Sequence, residues 1–242
     1  MTIAILPSDP ALRPSGDPFA FADLAALKFP YTDAVVVSYA SGQEVVGEGD
    51  PTENYYLVVR GVFRAVKVTR DGRRQIFAFY MPGDMCGLEP EDTHGLTIEA
   101  VNAAAMATLS RQMCRARMNR DAQFNAAIFD NVTRALTHAV DHMTMVGRSS
   151  AEERLAWFLS MLSARGAARR SASIELTMQR QDIADYLGLT IETVSWTFTH
   201  LKAQGLIALP TTRRVNILRP DLLTRLASAD RDAPIRDYRA VC

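Results

Sequence analysis

One long apolar stripe constrains this chain more than anything else in it. Phe124, Ile128, Val132, Ala135, Ala139, Met143 and Val146 recur at spacings of four, four, three, four, four and three. That is one face of an α-helix of about six turns, ending near Gly147. A face this long must be covered. The chain's own strands could cover it, but a second copy of the helix would do so better, so the spacing predicts a two-fold dimer seam through these seven residues. His138 and His142 lie one turn apart on the same helix. With no third ligand in reach they read as helix-surface histidines rather than a metal pair.

Ahead of the stripe the pattern is different. From Ala34 to about Leu109, short apolar or alternating runs ("VVVSY", "NYYLVVRGVFRAVKV", "RQIFAFYM", "AAAMATLS") are separated by turn residues at Gly42, Gly49–Pro51, Asp71–Gly72 and Pro82–Asp84. Short strands punctuated in this way predict a small antiparallel barrel or jelly roll, with Asp71–Gly72 at the tip of one hairpin. The chain has 242 residues, 48% of them hydrophobic, which suits one large domain or two modest ones. Net charge is zero but uneven. From Arg148 onward there are 14 Lys and Arg against 10 Asp and Glu, about +4, leaving about −4 before it. A basic end favours a polyanionic partner.

Beyond the stripe, "SSAEERLAWFLSML" opens a helix, with Ser150 and Glu153 spaced as a capping box before Leu155, Phe158, Leu159 and Leu162. Two shorter helices and a β-hairpin follow. In "DIADYLGLTIETVSW", Ile183, Ala184 and Leu187 face inward, Gly188 suits a left-handed cap and Leu189 plugs the turn. Thr190 is a good N-cap for the second helix, whose buried stripe is Val194, Phe198 and Leu201. Ile191, Glu192, Ser195, Trp196 and Thr199 are left on the exposed face. This is the pattern of a helix-turn-helix, and "ALPTTRRVNI" supplies a wing with Arg213 and Arg214 set for phosphates.

Nearly the whole chain resembles the superfamily of the cyclic-AMP receptor protein and the fumarate-nitrate regulator. The resemblance rests on the β-roll, the long helix, "AEERLAWFL" and "LTMQRQDIADYLGLTIETVS", the last being nearest to the FixK and fumarate-nitrate branches. It implies an α+β chain in five parts: an N-terminal segment 1–30, a cyclic-nucleotide-binding-like β-roll (jelly roll) 31–117, a dimerisation helix 118–147, a winged helix-turn-helix 148–227 and a tail 228–242. It also implies a homodimer on double-stranded DNA at a TTGA-N6-TCAA-like palindrome, with RNA polymerase a further partner if the protein is an activator. Carried over by position, Ile191, Glu192, Ser195 and Trp196 would contact bases, Glu192 accepting from a cytosine amino group. Gln179, Arg180, Gln181, Thr190 and Thr199 would join Arg213 and Arg214 on phosphates. The position of Trp196 usually carries an arginine that grips guanine. An indole cannot repeat that bidentate contact, so affinity is expected to fall or specificity to shift, by about 1–3 kcal/mol per half-site.

The same resemblance asks what the β-roll senses. Cyclic-nucleotide members resemble one another in a Gly-Glu-Leu turn followed by Arg-Ser/Thr. Here "PGDMCGLEPEDTHGLTIEAV" keeps Gly87 but has Leu88 at the glutamate and Leu96–Thr97 at the pair. A buried cyclic phosphate would lack its counter-charge. A [4Fe–4S] cluster needs about four thiolates, and the three cysteines, Cys86, Cys114 and Cys242, are dispersed. Haem needs only a His or Cys and one more ligand, and no residue is singled out for it. The expectation is a FixK-like regulator with no cofactor, serving low-oxygen or nitrogen-oxide responses; an effector-dependent regulator of the same fold is the alternative. Cys86 and Cys242 are the candidate redox thiols, against the commoner reading of Cys86 as a small core residue. The β-region holds only His94, with no nucleophile elbow or phosphate loop, so no enzyme is expected. The first residues carry no basic region and no long apolar run, which predicts a cytoplasmic protein without a membrane anchor.

Overall fold

The computed structural model describes residues 3–5, 34–148, 150–165 and 172–228. The chain forms two compact units, Met1–Ala139 and Val140–Cys242, and the division falls inside the long helix. Cys242 lies outside the described residues.

The first unit is a β-roll of two antiparallel sheets. Its strands are β1 (Ile3–Ile5), β2 (Val35–Tyr39), β3 (Glu44–Val46), β4 (Asn54–Arg60), β5 (Phe63–Val68), β6 (Arg74–Tyr80), β7 (Met85–Cys86), β8 (Thr97–Ala100) and β9 (Ala104–Ser110). One sheet has the order β1-β2-β9-β4-β7 and the other β3-β8-β5-β6. The central strands show why the sequence reads as near-continuous apolar runs. On β4 and β9, Tyr56, Val58, Ala104 and Met106 pack toward the second sheet with Phe63, Ile98 and Cys86. The alternate residues Leu57, Val59, Ala105, Ala107 and Leu109 pack on the opposite face. Both faces are buried, so the usual apolar-polar alternation is lost. The β4–β5 turn needs glycine: Gly61 has φ +76, and a Cβ there would sit 2.5 Å from the Ala104 Cβ.

The opposite face is closed by α1 (Arg111–Met118) and the start of α2 (Ala122–Arg148). Cys114, Phe124 and Ile128 lie in that core cluster with Ala34, Val36 and Met85. This corrects the expected seam: Phe124 and Ile128 are covered by their own β-roll, because the five-stranded sheet has a second apolar face to close. Ala135 and Val146 are half-buried, whereas Val132, Ala139 and Met143 are exposed. The exposed large side chains of α2 are Phe129 (69%), Val132, Leu136 (63%), Val140 and Met143 (65%), at spacings of three, four, four and three. The apolar line left open is therefore displaced by about one residue from the expected one.

Cys86 follows the commoner of its two readings, a small core residue, and not that of a redox thiol. It is buried in the inter-sheet cluster, and burial, with Glu89 and Asp84 nearby, pushes its thiol well above the ordinary range. A thiol without solvent access or thiolate character is a core residue and not a redox centre. The hairpin tip falls at Asp71–Gly72 as the sequence predicts, with Gly72 at φ 80 and Thr69 N–H donating to Arg73 O at 2.9 Å.

The second unit holds the end of α2, then α3 (Ala151–Arg165), β10 (Ser173–Glu175), α4 (Arg180–Leu187), α5 (Ile191–Ala203), β11 (Ile207–Ala208), β12 (Arg214–Ile217) and α6 (Pro220–Ala227). The three strands form an antiparallel sheet in the order β10-β12-β11. Ser150 N–H donates to Glu153 Oε2 at 2.7 Å, and Glu153 N–H to Ser150 Oγ at 3.3 Å, so the capping box opens α3 as its spacing predicts. Leu155, Phe158, Leu159 and Leu162 are all buried. Among the described residues, no helix is long and apolar enough to cross a membrane, and no group of three or more His, Cys, Asp or Glu is placed to hold a metal ion.

Candidate nucleic-acid interface

The turn between α4 and α5 is built from local chemistry. Gly188 closes α4 in the left-handed conformation, φ 62 and ψ 42, with its N–H on Ala184 O. At the other end of α4, the buried Asp182 carboxylate accepts from Gln179 N–H at 3.1 Å, satisfying a donor that a helix start would leave free. Thr190 caps α5, accepting from Thr193 N–H at 3.2 Å. From α3, the Arg154 guanidinium donates to Leu187 O at 2.9 Å and Gly188 O at 3.2 Å. The turn is thus fixed from a third helix, which sequence spacing did not indicate.

On α5, Val194, Thr197, Phe198 and Leu201 are buried. Ile191, Glu192, Ser195, Trp196 and Thr199 are exposed. Residues 192, 195, 196 and 199 are spaced so as to share one face of a helix. Two hydroxyls on that face are already engaged: Ser195 Oγ donates to Ile191 O at 2.8 Å, and Thr199 Oγ1 to Ser195 O at 3.1 Å. They present acceptor lone pairs outward and no free proton. Glu192 brings a carboxylate beside them, and Trp196 stacks on His200 with ring centroids 4.9 Å apart.

The expected phosphate contacts divide into two groups. Gln179, Gln181, Thr190, Thr199, Arg213 and Arg214 are exposed. In the β11–β12 wing, Thr211 Oγ1 accepts from the N–H groups of Arg213 and Arg214, which orders the loop and leaves both guanidinium groups outside. Arg180 departs from the expectation. It is half-buried, its guanidinium lies 3.3 Å from the centre of the Phe198 ring, and it donates to Thr212 O at 3.3 Å. Desolvation brings its pKa down to about 10, so it remains charged at neutral pH. Arg180 therefore braces α4 against α5 and the wing instead of standing free for a phosphate.

His142 is not a surface histidine. Its ring stacks on Tyr186 at 4.0 Å and 7°, with Trp157 at 6.2 Å beyond. Its Nε2–H donates to Tyr186 O at 2.8 Å. Burial lowers the His142 pKa, against a smaller raising effect of that hydrogen bond, and burial raises that of Tyr186.

A capped helix on a buried stripe, with a carboxylate and an indole outward and a basic hairpin beside it, defines a winged helix-turn-helix DNA-binding regulator. Residues 153–226 match the Crp-like helix-turn-helix domain, and residues 36–121 match the cyclic nucleotide-binding domain. The chain belongs to the CRP/FNR family of transcription regulators. It is 40% identical over 193 residues to the nitrogen fixation regulation protein FixK of Azorhizobium caulinodans, covering 78% of each chain. It is 30% identical over 184 residues to the transcriptional activator protein FnrL of Cereibacter sphaeroides, covering 74% of each. The structure of FixK2 from Bradyrhizobium japonicum superposes with a TM-score of 0.76 at 37% identity, over 81% of this chain and 98% of that one.

The matched nucleotide-binding domain raises the question of a nucleotide, and the residues present do not fit one. Leu88, at the position of the glutamate expected of the cyclic-nucleotide members, packs against the apolar cluster of the β-roll. Leu96 brings no charge, and the Thr97 hydroxyl accepts from Glu48 N–H at 3.0 Å. The buried cation nearest this turn, Arg111, gives its Nη2 to Gly87 O at 2.6 Å, and Glu89 lies 3.9 Å away. A carboxylate beside a committed guanidinium repels a phosphate where a nucleotide would need counter-charge.

Proposed function

We propose that this chain is a homodimeric, cofactor-free activator of transcription of the FixK type, acting in the cytoplasm on a TTGA-N6-TCAA-like palindrome and without catalytic activity. The observation that carries the reading is the exposed face of α5. Glu192 and Ser195 stand outward on a helix seated by Val194, Phe198 and Leu201, with Ile191 and Trp196 beside them. Gln179, Gln181, Thr190, Arg213 and Arg214 supply the phosphate contacts, and Thr199 joins them only by giving up its bond to Ser195 O. Such contacts position the protein while the base-facing side chains select the sequence. The relatives' names, nitrogen fixation regulation protein and transcriptional activator protein, support a role in gene activation; low-oxygen or nitrogen-oxide control is what the family resemblance adds, with RNA polymerase as the further partner of an activator.

Phe129, Val132, Leu136, Val140 and Met143 form the dimer seam. Five large apolar side chains at heptad spacing are what a partner helix would cover. Leu136→Glu should turn a dimer into a monomer in sedimentation equilibrium; a monomeric parent chain would overturn the seam. The DNA reading is tested by titrating a TTGA-N6-TCAA duplex and a scrambled one at fixed salt. Equal affinity for the two would refute the proposed target.

A further inference from the structure

Trp196 and His200 lie one turn apart on α5, with their planes 12° from parallel. Residues four apart lie one above the other on a helix face, so the imidazole of His200 covers one face of the indole. His200 is held in turn from outside the helix. Its Nε2 lies 3.3 Å from Glu152 Oε1 on α3, to which a protonated Nε2 donates; the Gln204 amide at the end of α5 lies 2.8 Å from the same nitrogen and is the donor when Nε2 is bare. The indole is nevertheless 59% exposed. One face rests on the imidazole, and the rest of the ring is open on the side where Glu192 and Ser195 also stand.

What such a ring can recognise follows from what the major groove offers. Guanine presents two acceptors, which a forked donor meets and a single indole N–H does not. The apolar group in the groove is the C5-methyl of thymine, and a broad, fixed, uncharged ring is suited to cover it. We infer that Trp196 is a specificity-determining residue that reads a thymine C5-methyl group in each half-site, and that His200, tethered through Glu152, is its positioning residue. The inference rests on α5 being the base-reading helix and says what that helix selects. The indole exchanges a guanine contact for a methyl contact, which is a change of preference and not only a loss of grip.

Replacing thymine with deoxyuridine removes that methyl and nothing else. The best duplex is first selected from a random library with the full-length protein at fixed salt, and each thymine is then replaced in turn. One position per half-site should weaken binding about four-fold, the worth of one methylene expressed as an affinity ratio. That sensitivity should vanish in Trp196→Ala, diminish in His200→Ala, and persist in His200→Phe, which keeps the stack. Uracil binding as well as thymine at every position, or sensitivity that survives Trp196→Ala, would overturn the inference while leaving the DNA-binding reading intact. Failure to enrich any duplex would remove both.

Discussion

The β-roll and the winged helix-turn-helix match their two domain families in different ways. In the winged unit the groups that the proposed reading of DNA calls for are in place: the Thr190 cap, the left-handed Gly188, the buried Val194, Phe198 and Leu201, and an outward carboxylate at Glu192. In the β-roll the apolar pattern of the fold is kept, but Leu88 and Leu96 occupy positions where a nucleotide would need charge. Its polar groups turn inward. His94 and Arg111 are buried, and His94 Nδ1 lies 3.5 Å from Glu89 Oε1. His94 Nε2, Arg111 Nε and Glu89 Oε2 have no hydrogen-bond partner. A fold is held by its apolar periodicity and a ligand by a few polar side chains, so the second can be lost while the first stays.

The sharpest way to break this comparison is at Glu192. Glu192→Ala should weaken binding to the selected palindrome by about 5–150-fold per half-site, following the 1–3 kcal/mol of a base contact, while the unfolding midpoint stays close to the parent's because the side chain is exposed. Unchanged affinity in a duplex titration would mean that α5 is not the reading element. The counterpart in the β-roll is Arg111→Met. Loss of the charged bond to Gly87 O should cost about 1.5–3 kcal/mol in denaturant unfolding. If stability were unaltered, the Glu89–His94–Arg111 cluster would be kept for something other than holding the roll together.

What could be read from the sequence follows the same division. The caps at Ser150 and Thr190, the glycine at 188 and the buried faces of α3 and α5 depend on residues within a few positions of one another, and the structure has them as the spacing predicts. The apolar pattern of α2 was only half legible. Two apolar lines run side by side on that helix, one through Phe124 and Ile128, the other through Phe129, Leu136 and Val140. Both mix threes and fours, and only the free face of the β-roll sheet decides which turns inward. Counting the second line would have found Phe129, Leu136 and Val140. The Arg111–Gly87 bond, the Arg154 brace on the turn and the His142–Tyr186 stack join residues 24 to 44 positions apart, beyond the reach of any periodicity. The strand β10, three residues long, was too short to signal itself; α6 is as long as α4, and its signal, Pro220 at the first helical turn, was not counted.

Arg180 and Arg213 sharpen the contrast within the winged unit. Arg180→Gln removes a cation from the Phe198 ring, worth about 0.5–2 kcal/mol, and should lower stability while leaving the salt dependence of binding as it was. Arg213→Gln should do the reverse, reducing the slope of log affinity against log salt by about one per half-site with no change in unfolding. Identical behaviour of the two variants in both measurements would undo the distinction between brace and phosphate contact.

The smallest effect expected is a pH dependence set by His142. The Tyr186 carbonyl can only accept, so Nε2 carries the proton and Nδ1 is bare in the neutral ring. Burial is the larger influence and holds the folded-state pKa below the ordinary 6.5. Between those two values the unfolded chain binds the proton more readily than the folded one, so stability is complete above pH 6.5 and declines as pH falls through the folded-state pKa. The decline should appear in urea unfolding of the whole protein as pH is lowered from 7 through 6.5 and below, superimposed on the titration of the carboxylates. His142→Phe keeps a flat ring against Tyr186 and removes the ionisable nitrogen, so the difference between the two curves isolates the histidine. Parallel curves for parent and variant would mean that the ring is protonated at no cost, and that the stack on Tyr186 holds the end of α2 whatever its charge.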